Sequence, residues 1–366
     1  MNSVGTPDYD VIVVGAGPAG STCAAFCAQS GLRTLLLEKA EFPREKVCGD
    51  CLNPLCWPVL ERLGVADRVL GLPHSRLEKV EFVGLWGSPL RFAMAPSPRG
   101  EIAVKRSLLD ALLLTRAAEL GVTIRTATSV TEVQRGWSVQ TAGEIFTSRF
   151  LIAADGRNST VARLLGLLPA AHRDRLGLQT HVAAPADFGE KVSMRFLRKG
   201  YCGVASVGGG ELNLCLVGRA VHVAELKAWA GAKFGISPEQ QWQTIAPLAR
   251  AAVDPSHPSL LLIGDAARVV EPFTGEGIYY ALATGELAAA HLVTGDLASY
   301  TAAQQALYRG RLWVNELSKF AVMNPFVATA VLGIARVRPE LLRFLTSKVV
   351  GVALSPATGA AAPLSA

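Results

Sequence analysis

The chain has 366 residues, with 36 Lys and Arg against 30 Asp and Glu, a formal net charge of +6, 50% hydrophobic residues and only 18% charged ones. That length can bury a large core in two intimately joined domains, and a mean hydropathy of +0.30 with a pI near 9.0 suits an anionic cofactor or an anionic membrane surface. The basic residues are scattered and form no aromatic-interleaved patch, so nucleic acid is not expected as a partner. Seven cysteines in a chain with no visible signal peptide argue against a disulfide framework and for a cytoplasmic location.

Residues 10–14 read as a buried parallel strand. Gly15-Ala16-Gly17-Pro18-Ala19-Gly20 follows at once and opens a small-residue helix, and the apolar run 34–37 ends in Glu38. This is a dinucleotide fingerprint in its strand–turn–helix–strand setting. Gly15 permits the tight turn, Gly17 lets a pyrophosphate approach the backbone, and Gly20 lets the helix pack close to the sheet. Glu38 can accept from both ribose hydroxyls and would repel a 2′-phosphate, which leaves NAD or FAD.

Residues 46–70 read as a loop followed by a helix shaped by Pro54 and Pro58, and residues 80–83 and 90–94 alternate like strands. Residues 107–120 have helical apolar spacing and end at Gly121, a natural C-cap. Segments 122–126, 137–141 and 150–154 read as strands. Composition then shifts. Four strand-like runs, 179–183, 192–196, 201–207 and 212–217, with Gly208-Gly209-Gly210 turning between the last two, predict an antiparallel sheet walling a substrate pocket. Residues 260–263 return to the first domain, helices fill most of the C-terminal third, and the Ala/Pro/Gly-rich residues 355–366 are expected to be disordered.

Two further motifs leave apolar strands. The first is Ala154-Asp155-Gly156-Arg157-Asn158-Ser159. The second is Gly264-Asp265-Ala266-Ala267-Arg268, followed by Pro272-Phe273-Thr274-Gly275-Glu276-Gly277-Ile278. Asp265 at a strand end can accept from ribityl hydroxyls. Gly275 and Gly277 let the next helix, residues 278–291, begin against a flat ring. Its positive end would stabilise negative charge on the edge of a reduced flavin.

Together these motifs resemble the glutathione-reductase-type FAD proteins of the p-hydroxybenzoate-hydroxylase group, and within it the geranylgeranyl reductase family. The runs PREKVCGD (residues 43–50) and PFTGEGIYYAL (residues 272–282) carry the likeness, which spans roughly residues 8–290. It implies FAD as cofactor. Gly15, Gly17, Ala19 and Gly20 would hold its pyrophosphate, with Arg106 on a second side. Glu38, with Lys39 beside it, would hold the ribose, and the backbone of Val130 would read the adenine. Cys48 and Gly49 would lie beside the flavin. Asp155, Gly156, Gly264, Asp265, Pro272, Gly275, Gly277 and Ile278 would complete the site. Cys48 is the one candidate for a catalytic side chain. Read without the resemblance, Arg106 merely flanks its helix and Asp155 is a turn residue.

The cysteine spacing at Cys48, Cys51 and Cys56 offers a rival, a redox disulfide or a metal site. A disulfide reductase needs a second nucleotide-binding unit that the sequence lacks, and three cysteines without a nearby fourth ligand suit zinc poorly. No metal is expected. The family's aromatic run in the pocket sheet is altered: Tyr201 remains, but small residues, Gly203 and Ala205, stand where rings are expected. Alternation puts residues 201, 203 and 205 on one side of a strand and widens the pocket. The tryptophan-rich signature of flavin halogenases is absent.

The expected fold is α/β, a Rossmann-like FAD-binding domain (residues 1–75, 100–175 and 255–300) interleaved with an antiparallel β-sheet substrate domain (76–99 and 176–254). C-terminal helices (301–354) and a tail follow. The expected activity is oxidoreduction of a lipophilic small molecule with NAD(P)H or a protein electron donor as reductant. Reduction of a carbon–carbon double bond comes first, hydroxylation of an aromatic or polyketide-like substrate second, and a non-enzymatic flavin carrier last. The apolar run 326–335, followed by Arg336, Arg338, Arg343 and Lys348, predicts either a helix packed over the substrate domain, the favoured reading, or a peripheral membrane contact.

Overall fold

A computed structural model of the chain describes residues 6–94, 97–172 and 175–338. The expected disordered tail, and the cations Arg343 and Lys348, lie outside the described residues.

The first sheet is built on Tyr9–Val14, whose residues Val11, Ile12 and Val13 have no exposed surface. A strand apolar on both faces belongs in the middle of a parallel sheet covered on both sides. It pairs in parallel with Thr34–Leu37 on one side and Ile145–Ala153 on the other, and the sheet continues in parallel to Thr123–Arg125 and Leu260–Leu262. On one face lie the helices Pro18–Gln29, Arg106–Glu119 and Gly277–Thr294. On the other, the antiparallel strands Val130–Gln134 and Ser138–Thr141 fold back and bury Val133, Trp137 and Val139.

The second sheet runs in the order Gln243–Ile245, Leu176–Ala183, Glu211–Gly218, Gly200–Gly208, Lys191–Leu197, Lys79–Val83, Leu90–Ala93. The antiparallel expectation holds for every pair except Lys191–Leu197 with Lys79–Val83, which is parallel. Gly208, Gly209 and Gly210 all have positive φ, as the turn requires. One face is covered by the helix Val223–Phe234 and the other by the C-terminal helices Leu312–Met323 and Pro325–Val337. A three-stranded sheet of Cys51–Leu52, Glu101–Val104 and His74–Leu77 joins the two halves.

Residues 46–70 depart from the sequence reading. They give that short strand, a 3-10 turn and two short helices, Trp57–Arg62 and Ala66–Leu70. The side chain of Asn53 accepts from Leu55 N and stops the chain from extending.

Candidate active site

One cavity of about 880 Å3 runs from the first βα turn to the second sheet and ends beneath the C-terminal helices. Pockets of cofactor and substrate size fall in this range, roughly 300–1,000 Å3.

Its polar end begins where Tyr9–Val14 meets Pro18–Gln29. Gly15 has φ of +103°, and a Cβ there would lie 2.6 Å from the Ala154 carbonyl oxygen. Only glycine lets the two strand ends close this turn. Gly17, Ala19, Glu38, Lys39 and Val130 line the wall. Gly20 does not. Its missing Cβ would sit 1.8 Å from the Gly15 carbonyl oxygen, so it sets the close packing of the turn instead of facing a ligand. Glu38 ends its strand with the carboxylate accepting from Ala16 N (2.8 Å) and Ala40 N (3.0 Å).

Besides Lys39, four cations converge on this end: Arg44, Lys46, Arg106 and Arg157 all line the cavity. Burial, reinforced by the neighbouring arginines, lowers the affinity of Lys46 for its proton. Arg106 opens its helix in a bidentate pair with Asp110 at 2.7 and 2.8 Å, and Arg44 lies 3.2 Å from the same carboxylate. The buried Nε of Arg44 has no hydrogen-bond partner. Arg106 therefore flanks its helix, as the isolated residue suggests, and also faces the cavity. This crowding of positive charge around a turn that keeps Cβ atoms away fits a dinucleotide pyrophosphate.

The two downstream motifs meet in the middle of the cavity. Asp155 and Gly156 line it, but the Asp155 Oδ2 caps the helix Thr160–Leu164 by accepting from Thr160 N (2.6 Å) and Val161 N (3.1 Å). Its Oδ1 has no partner, and burial raises the carboxyl above its usual range. Asp265 pairs with Arg157 Nη2 at 2.8 Å, so a ribityl hydroxyl would share that carboxylate with the guanidinium. Pro272, Gly275, Gly277 and Ile278 line the wall at the start of Gly277–Thr294, leaving open space in front of that helix N-terminus. Gly264 stands behind the wall, its N–H donating to Thr284 Oγ1 at 2.9 Å.

Cys48 and Gly49 form the seam with the substrate half. The Cys48 N–H donates to Gln179 Oε1 (3.1 Å), and its carbonyl accepts from Asn213 Nδ2 (2.8 Å) and Cys215 Sγ (3.2 Å). Burial pushes the Cys48 thiol up. All seven cysteines are free thiols. Behind this segment Asp50, at φ +60°, holds His181 Nε2 at 2.9 Å.

Beyond the seam the wall is apolar. Tyr201, Gly203 and Ala205 line it together, as strand alternation requires, but Val204 contributes too. Gly203 faces Met194, whose Sδ would lie 3.3 Å from an added Cβ. Tyr201 meets Phe273 edge-on at 5.3 Å, linking the sheet to the loop that precedes the helix N-terminus. The roof is Val314, Leu317, Phe320, Val327 and Leu332 of the C-terminal helices.

Sequence reasoning missed three parts of this site. Arg44 and Lys46 lay in a quoted run without a role. Glu101 lines the cavity with an unpartnered Oε2, and burial alone pushes its carboxyl up to about 7. Glu276 clamps the roof to the loop by accepting from Arg311 Nη1 (2.8 Å) and Asn315 Nδ2 (3.0 Å), while Asn315 Oδ1 accepts from Glu271 N (2.8 Å). Contacts across such distances in the chain leave no local pattern.

The comparisons with known proteins agree with this geometry. The FAD binding domain family model matches residues 8–196. The menaquinone reductase of Mycolicibacterium smegmatis is 30% identical over 381 residues, covering 93% of this chain and 91% of that protein. The digeranylgeranylglycerophospholipid reductase 2 of Methanopyrus kandleri is 28% identical over 326 residues, covering 77% and 76%. The fold of the flavin-dependent brominase Bmp2 superposes with a TM-score of 0.74 at 21% identity, covering 92% of this chain and 93% of that one. A cradle that fits a dinucleotide, an open helix N-terminus beside it and a matched family model leave one assignment: the chain belongs to the geranylgeranyl-reductase-like FAD-dependent oxidoreductases, and its cofactor is FAD.

Proposed function

We propose that the enzyme reduces a carbon–carbon double bond in a long lipophilic substrate of the polyprenyl-lipid class. The observation that carries this reading is the continuity of the cavity, in which the FAD cradle opens without a break into a wall of aliphatic and aromatic side chains under an apolar roof. A menaquinone reductase and a digeranylgeranylglycerophospholipid reductase among the relatives support the same class.

Reduced FAD supplies the hydride when bound. The chain's own groups position the partners and hold the proton. Val80, Phe82, Met194 and Phe196 exclude water along the apolar wall. The open helix N-terminus at Gly277 would stabilise negative charge on a cofactor held in front of it. Cys48 keeps its proton on Sγ because burial disfavours the thiolate, and its main chain is fixed by Gln179 and Asn213. It is the group we assign to deliver a proton to the second carbon. The dinucleotide fingerprint occurs once, so NAD(P)H or a protein electron donor acts from outside the cradle.

Hydroxylation is the second reading, favoured by the space that Gly203 and Ala205 leave for a wider substrate. The test is to photoreduce the protein without oxygen and mix it with a polyprenylated quinone. Reduction of the double bond predicts flavin reoxidation and a product still heavier by two hydrogens after any quinol has been reoxidised to the quinone. Reoxidation only when oxygen is admitted, with a product heavier by one oxygen atom, would replace the first reading with the second.

A further inference from the structure

The roof of the cavity has a second face. Nine of the thirteen exposed large hydrophobic residues among the described residues lie on Leu312–Met323, on Pro325–Val337 or at Trp86. Trp86, Phe320, Phe326 and Ile334 are each 54–58% exposed, and the Trp86 and Phe326 rings lie 5.9 Å apart. Soluble proteins rarely leave so much contiguous apolar surface without a use. The inner face of the same helices is core: Val314, Ala328, Leu332 and Ala335 are buried. The favoured packing expectation therefore holds for one face only.

Three residues belong to both faces. Leu317, Phe320 and Val327 line the cavity and are also 42–55% exposed. At these three residues the cavity reaches the helices that carry the apolar patch. Residues 312–338 carry the cations Lys319, Arg336 and Arg338 against the single acid Glu316, and none of residues 320–335 is charged. Among the described residues no single helix is long and apolar enough to cross a membrane, and the two helices bend by 112° at Asn324. An apolar face flanked by cations, bent and too short to span, suits the plane of an interface.

We propose that this face seats the protein on an anionic lipid leaflet and that lipid substrate enters the cavity directly through the mouth between Phe320 and Val327. The proposal rests on the lipophilic-substrate reading. The excess of cations selects an anionic surface over a neutral one. A second copy of the chain docked here would seal the mouth, whereas a leaflet supplies what the mouth must admit.

The test is flotation of the full-length, FAD-loaded protein with phosphatidylcholine vesicles, with and without phosphatidylglycerol. Binding should need phosphatidylglycerol and weaken roughly tenfold or more on raising the salt. The double variant Ile334→Glu, Val337→Glu changes exposed positions that do not line the cavity. It should lose flotation while keeping its FAD and its turnover of a short-chain, water-soluble substrate analogue. Four outcomes overturn the proposal: no flotation with either vesicle, equal salt-insensitive flotation with both, wild-type flotation by the double variant, or a concentration-dependent dimer that the variant dissolves in place of lipid binding. A wild-type protein that does not float but turns over the analogue removes the seat and leaves the reductase standing. Flotation without reduction of any polyprenyl acceptor does the reverse.

Discussion

The two ends of the cavity share one space but are made from different parts of the polypeptide. The turn of the FAD cradle is shaped by main chain. Gly15 and Gly20 lie against the carbonyl groups of Ala154 and Gly15, where an added Cβ would meet main chain, and Ala16 and Ala40 present their N–H groups to Glu38. The substrate half is made of side chains, and its size is set by those that are small. Gly203 faces the thioether of Met194, a flexible tip. Glycine in the cradle is obligatory, while glycine in the pocket is a choice of volume.

That contrast is broken most directly by the same substitution at both ends. Gly20→Ala forces a Cβ to 1.8 Å from the Gly15 carbonyl oxygen, and neither the turn nor the helix can yield. The expected result is loss of FAD and a large fall in folded yield. Gly203→Ala places its Cβ 3.3 Å from Met194 Sδ, and that side chain can swing away. It should keep full FAD and change stability by less than about 1 kcal/mol. Flavin absorbance per polypeptide and a thermal melt measure both. Equal behaviour of the two variants would erase the distinction.

A smaller effect sharpens the pocket side. Gly203→Trp sends an indole into the apolar wall between the cradle and the roof. Long-chain substrates should lose at least tenfold in kcat/KM, equivalent to about 1.4 kcal/mol, while short analogues lose less and FAD content stays unchanged. Normal turnover of a long-chain substrate would show that the chain does not pass Gly203.

The same contrast decides what could be read from the sequence. The cradle was legible because close approach of a phosphate to the main chain demands glycine at fixed spacing, and the turn carries it at Gly15, Gly17 and Gly20. Which turn residues face the ligand was not legible, and Gly20 and Gly264 stand behind the wall. The pocket strands were legible from alternation, and Tyr201, Gly203 and Ala205 do line one wall. The helix Val223–Phe234 was not foreseen. Val223, Leu226, Trp229, Ala230 and Phe234 pack against the sheet, but alanines spread around the helix blur the contrast between its faces. The roof was legible as apolar helices but not as a clamped lid. Glu276, Arg311 and Asn315 meet across more than thirty residues of chain.

The last effect concerns Glu101, a charge placed at the boundary of the two regions. It begins the strand Glu101–Val104 of the joining sheet, lines the cavity and has an unpartnered Oε2. Burial alone pushes its carboxyl up to about 7 from an ordinary 4.5. The consequence for stability is opposite to that of a paired carboxylate. Below about pH 4.5 the folded and unfolded chains both keep this proton. Between about 4.5 and 7 the unfolded chain releases it while the folded chain holds it. The unfolded state then binds fewer protons, so this group lowers stability as pH rises, and the loss levels off above 7. The residue is partly exposed, so solvent trims the full linkage to about 1–3 kcal/mol. Glu101→Gln removes the titration and keeps the shape. It should match the wild type at pH 4 and exceed it at pH 8 by that amount in urea unfolding of the FAD-loaded protein. A constant difference across the range would mean that the Glu101 carboxyl titrates alike in the folded and unfolded chains. In that case an unrecognised donor would have to stand beside its Oε2, and the seam between cradle and pocket would be more polar than its side chains imply.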